Sequence, residues 1–250
     1  MTNHSHHPAA RTSPAESGSA LIYIFLAIAM FAALSFAVAN IMRSGNGDPN
    51  REIMQLQSTD VIQYAEGLKR AAHGMQIRGI EENRISFDTS GLTGYEPHAS
   101  CSSDDCRLFR PTGGGTSYSP PPNDWLDPLG DGQALYGEWF FPTGTCVEDV
   151  GTGSAGCESD STDNEELIAI LPWVKRDLCI QINERLGITN PGGNPPAATG
   201  PAWPAANTKF TGTFTEDAVI SRPRVTAACL RGNSVPPNDS YFFYKVLIGR

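Results

Sequence analysis

From Ser17 to Met42 the chain carries no charged side chain; Glu16 bounds the stretch on one side and Arg43 on the other. A bilayer core needs about 20 apolar residues in a helix, and ALIYIFLAIAMFAALSFAVANIM is long enough. Inside lipid every backbone N–H and C=O must be bonded within the segment, which an unbroken helix achieves. No second run of this kind follows, so the sequence predicts one span. Three readings stay open for it. It is a plain signal anchor; or a secretory signal cut at Ala37-Val38-Ala39, ahead of Asn40; or a processed anchor, cut where the polar leader ends at Gly18 and the small residues Ser19 and Ala20 begin.

The stretch ESGSALIYIFLAIAMFAALSFAVANIM resembles the N-terminus of type IV pilins and pseudopilins. The layout is similar too: a short leader, an apolar helix, an amphipathic helix, then a disulfide-containing head. The resemblance implies cleavage by a prepilin peptidase between Gly18 and Ser19. The apolar helix then remains on the mature protein and packs with other pilin-like subunits in the inner membrane. Tyr23 stands where most members carry a Glu; minor pseudopilins at a filament tip also lack that Glu, so the likeness implies a minor, tip-like subunit. The chain is also similar to a group of alphaproteobacterial envelope proteins with a GSALIYI-type opening and an FYKVL-type ending, a likeness that implies no activity.

All six cysteines (Cys101, Cys106, Cys146, Cys157, Cys179 and Cys229) follow the anchor. Cysteines pair in oxidising compartments and stay reduced in cytosol, so their even number and position put the head in the periplasm or exterior. Six cysteines admit many pairings. Local spacing favours Cys101–Cys106 and Cys146–Cys157, which leaves Cys179–Cys229 as a long-range staple. The net charge of −9 argues against nucleic acid, whose binding needs a basic patch.

Gly45, Gly47 and Pro49 predict a break near 45–49, with Asp48 as N-cap and Pro49 in the first helical position. Ile53, Leu56, Val61, Tyr64, Leu68, Ala72 and Met75 then recur at near-helical spacing, predicting an amphipathic helix whose stripe docks the head. Beyond Gly79 the pattern changes to short apolar runs between Gly, Pro and Ser clusters. Strands are predicted at Arg84–Phe87, Cys106–Phe109, Leu135–Phe141, Lys209–Phe214, Val219–Leu230 (interrupted at Pro223) and Tyr241–Ile248. One further helix is predicted, with Pro172 in its first turn, Val174, Leu178, Ile182 and Leu186 on one face, and Gly187 as its stop. The expected fold is α+β with an antiparallel sheet: a leader at 1–18, a spine helix at 19–43, an amphipathic helix at 44–78 and an extracytoplasmic head at 79–250.

Motifs for catalysis, cofactors and metals are weak, and the sequence predicts no enzyme and no bound cofactor. His73 and His98 are the only histidines after the anchor, and no G-x-S-x-G accompanies them. Gly151–Gly156 fits G-x-G-x-x-G as text, but Cys146 and Cys157 bracket it as a polar loop rather than a strand-to-helix turn. The glycines at 113–115 lack the Lys of a phosphate loop. No CxxC pair points to zinc or redox exchange. The acidic run Glu158, Asp160, Asp163, Glu165 and Glu166 reads as a solvated face, with a calcium loop as the alternative. The functional expectation is a non-enzymatic, pilin-like or minor-pseudopilin-like envelope subunit; the alternative is an anchored or secreted β-rich binding or adhesion domain outside any filament.

Overall fold

The computed structural model describes residues 18–44, 49–96, 98–151, 157, 165–215 and 218–250. The chain divides into two units, 1–49 and 50–250. In the first, helix α1 (Gly18–Ser44) contains Leu21–Asn40, long and apolar enough to cross a membrane. Helix α2 (Pro49–Ile77) opens on Pro49, whose missing N–H costs nothing in a first turn. The predicted break itself, at 45–48, lies outside the described residues.

The second unit is built on a three-stranded antiparallel sheet with β5 in the centre. The strands are β2 (Leu167–Leu171), β4 (Ala227–Arg231) and β5 (Tyr241–Ile248), in the order β2-β5-β4. Every residue of β2 and β5 is buried, so the sheet is covered on both faces. Alternation along each strand sorts the side chains into two cores. Ala169, Leu171, Phe243 and Leu247 join Val61, Leu68 and Met75 of α2, and Leu178 and Ile182 of α3 (Arg176–Leu186). Ile168, Ile170, Phe242 and Tyr244 face the other way, onto Phe140, Ala202 and Trp203. Lys245 falls among the residues that face the helices, and Glu66 of α2 supplies its carboxylate. A second, two-stranded parallel sheet pairs β1 (Cys146–Val147) with β3 (Val219–Ile220).

Three disulfides join Cys101 to Cys106, Cys146 to Cys157 and Cys179 to Cys229, the arrangement that local spacing favours. The last ties α3 to β4. Asn183 reinforces it: its Oδ1 accepts from the Cys229 N–H and its Nδ2 donates to the Cys229 carbonyl, both at 2.8 Å. A buried backbone pair at a sheet edge is thereby satisfied by one side chain.

Several expectations need correction. Tyr241–Ile248 is a strand over its predicted length, and Val219–Leu230 splits about Pro223 into β3 and β4. Arg84–Phe87 and Cys106–Phe109 meet only in a single Ser86–Arg107 bridge. Leu135–Phe141 contributes only Phe140, opposite Ile170, and Lys209–Phe214 only Lys209, opposite Pro142. Leu135 and Gly137 have positive φ and Pro142 lacks an N–H, so no ladder extends through these segments. Helix α3 starts at Arg176 rather than Pro172. Val174 N–H donates to the Tyr241 carbonyl and Lys175 N–H to that of Trp125, which holds the approach extended. Its stop at Gly187 is as predicted: φ of +73° there suits a residue without Cβ. On α2, Val61, Leu68, Ala72 and Met75 are buried, but Ile53 and Leu56 are 51% and 68% exposed, so the stripe docks the head only from its second half.

Candidate functional site

Most of the exposed large hydrophobic side chains among the described residues lie on helix α1. From Leu21 to Asn40 none of the span is buried. Tyr23 is 69% and Phe31 73% exposed. No acidic or basic side chain interrupts this stretch. Twenty residues in a helix are about 30 Å long, the thickness of a bilayer's hydrocarbon core. In length and composition the helix meets the requirement for crossing a bilayer. Gly18 and Ser19, the predicted processing residues, are the first two residues of α1; residues 1–17 lie outside the described residues.

In the head, a cleft of about 580 Å³ runs beside α2, lined by Asp60, Tyr64, Arg70, Ser119, Trp125 and Trp139. Tyr64 Oη accepts from the Ser119 N–H at 3.0 Å, and its ring lies 5.1 Å from that of Trp139. Burial pushes the Tyr64 phenol up to about 12, so it exchanges no proton near neutrality. Tyr118, nearby, is also raised, first by burial. The cleft combines aromatic surface with one carboxylate and one guanidinium.

The acidic run is not a solvated face where it is described. Glu165 and Glu166 are each 1% exposed, beneath β1; Glu158, Asp160 and Asp163 lie outside the described residues. Glu166 Oε2 accepts from the Val147 N–H at 2.6 Å. Burial first, and the neighbouring Glu165 carboxylate after it, raise Glu166 to about 8, although the Val147 N–H and Arg250 pull the other way. Glu166 is therefore mostly protonated at neutral pH. Arg250 approaches Glu165 at 3.9 Å and Glu82 at 3.3 Å. Sequence reasoning missed this buried pair, although the wholly apolar LIAIL that follows it was a signal.

The remaining sequence candidates are placed as follows. Of the G-x-G-x-x-G text, residues 152–156 lie outside the described residues. The glycines at 113–115 form a turn in which Gly114 N–H donates to the Arg107 carbonyl at 3.1 Å. His73 is exposed on α2. His98 sets Nε2 3.3 Å from the Ile85 carbonyl and packs edge-on against Phe210. Among the described residues no three His, Cys, Asp or Glu side chains gather as a metal-holding group. No family model matches the chain, and neither a curated protein nor a solved structure matches it.

Proposed function

We propose that this chain is a non-enzymatic envelope subunit of the pilin-like or minor-pseudopilin-like kind, held in the inner membrane by α1 with its head in the periplasm or exterior. The observation that carries the reading is the uncharged, wholly exposed surface of Leu21–Asn40. Between helices in lipid, association rests on close packing and small residues. Ala27, Ala29, Ala32, Ala33, Ala37 and Ala39 supply small residues along the span. The three disulfides support an oxidising compartment for the head. On this reading a prepilin peptidase cuts between Gly18 and Ser19, and Tyr23, lacking the acid of shaft subunits, suits a tip position.

Single cysteines placed in turn along α1 of the full chain test assembly, because the native six are paired. In native membranes we expect oxidative cross-links, to itself or to a second small subunit, at positions recurring every three or four residues. Uniform absence of cross-links over the whole helix would leave the anchored binding or adhesion domain instead. That second reading is favoured by one observation: residues 50–250 form their own unit with both hydrophobic cores inside it.

A further inference from the structure

A second cleft, of about 220 Å³, is walled by Trp173 and Trp203 and rimmed by Gln133, Leu135, Asn207 and Ser234. No Asp, Glu, Lys, Arg or His lines it, in a chain where 18% of residues are charged. Trp203 is 2% exposed and is fixed T-shaped against Phe140 and Phe242, at 5.8 and 5.3 Å. Trp173 is half-buried. A Cβ at Gly130 would stand 2.6 Å from its indole, so only glycine lets the backbone lie against that ring. Both indole N–H groups are committed within the protein: Trp173 donates to the Ala134 carbonyl at 3.0 Å and Trp203 to Asn207 Oδ1 at 2.9 Å. Trp203 therefore forms the closed back of the cleft, and what the cleft offers a ligand is the half-buried ring of Trp173 and no indole donor.

The backbone around this cleft is unusually constrained. Leu135, Trp173, Asn207 and Ser234 have φ of +65°, +59°, +53° and +80°, and they are four of the seven non-glycine residues with positive φ among the described residues. Asn adopts this conformation readily, but at Leu135, Trp173 and Ser234 it costs about 1 kcal/mol or more and persists only where the surroundings hold it, as at ligand-binding walls. These positions come from four separate loops, so the constraint shapes one rigid surface rather than one turn.

We propose that this cleft binds one neutral pyranose residue of a glycan. The volume is below the range of drug-sized sites, roughly 300–1,000 Å³, and suits a single six-membered ring. A pyranose pairs an apolar C–H face, which stacks on an aromatic ring, with hydroxyls that both donate and accept. The exposed Gln133 amide and Ser234 hydroxyl at the rim can do the same. Sugar acids and phosphosugars find no cation here. The same rim groups would also meet the carbonyls of a proline-rich peptide, but a cleft of about 220 Å³ encloses one ring rather than a run of residues, which favours the pyranose.

The test uses the full-length protein in dodecylphosphocholine, since sugar-headed detergents would compete. Cellotetraose, maltotetraose and tetra-N-acetylchitotetraose are titrated separately, with saturation-transfer NMR and tryptophan fluorescence as readouts. We expect saturable binding of at least one of them, weakened about tenfold or more by Trp173→Ala, the loss of one stacking surface. Ala205→Phe, which fills the cleft from its exposed rim and removes no wall, should abolish binding even where Trp173→Ala fails to fold. No saturable binding of any of the three sugars would overturn the proposal, as would binding unchanged in Ala205→Phe. Saturable binding of a proline-rich decapeptide in place of the sugars would overturn it in favour of a peptide site.

Discussion

Replacing Cys179 and Cys229 together by alanine is expected to lower the melting temperature of the protein by roughly 10 °C. Both cysteines are fully buried and lie 50 residues apart in sequence. Closing a loop of that length removes enough unfolded-state entropy to contribute about 4 kcal/mol. In a domain of this size each kcal/mol shifts the midpoint by about 2–4 °C. The Cys101–Cys106 pair closes only 5 residues, so the same double replacement there should cost about half as much. Thermal unfolding followed by circular dichroism under non-reducing conditions measures both. A shift below about 2 °C for the long-range pair would mean that Asn183 and the apolar contacts of α3 already hold β4 in place.

Glu166 should make the head less stable as pH rises. Its ordinary value is 4.5 and burial lifts it to about 8 in the folded state. The folded protein thus binds the proton more tightly than the unfolded chain between these limits. The stabilisation is fully present below about pH 4.5 and is lost as pH climbs through 8, at up to about 1.4 kcal/mol per pH unit. Glu166→Gln, neutral and of similar shape, removes this dependence. Denaturant titrations of the native chain and of Glu166→Gln from pH 5 to 9 should therefore diverge progressively, the variant being the more stable at the alkaline end. Parallel curves would show that Glu166 is ionised throughout, with Arg250 compensating it.

How much of this was legible in the sequence depended on whether one local pattern decided the structure. The long apolar helix α1 was legible because its residues form an uninterrupted apolar run. So was β5, whose apolar YFFYKVLI lies between turn-forming residues, and so was the end of α3, where only Gly187 accepts a left-handed backbone. LIAIL of β2 was missed because a strand buried on both faces does not alternate, while the acidic run before it read as a solvated face and Pro172 after it as the first turn of a helix. Ile53 and Leu56 keep helical spacing with the buried stripe, yet spacing says nothing of where the head stops covering α2. The sugar-sized cleft had no sequence signature. Gln133, Trp173, Asn207 and Ser234 are far apart in sequence and are brought together only by folding. Glu165 and Glu166 looked solvated because composition was read in place of position.

The proposed assembly rests on what happens at Gly18. N-terminal sequencing of the protein recovered from native envelope fractions tests it most directly. The pilin-like reading predicts a mature chain that begins at Ser19, keeps the whole of Leu21–Asn40, and is no longer produced when Gly18 is replaced by a bulky residue. A chain that begins at Asn40, without the apolar helix, or one that remains uncut from Met1, would contradict it.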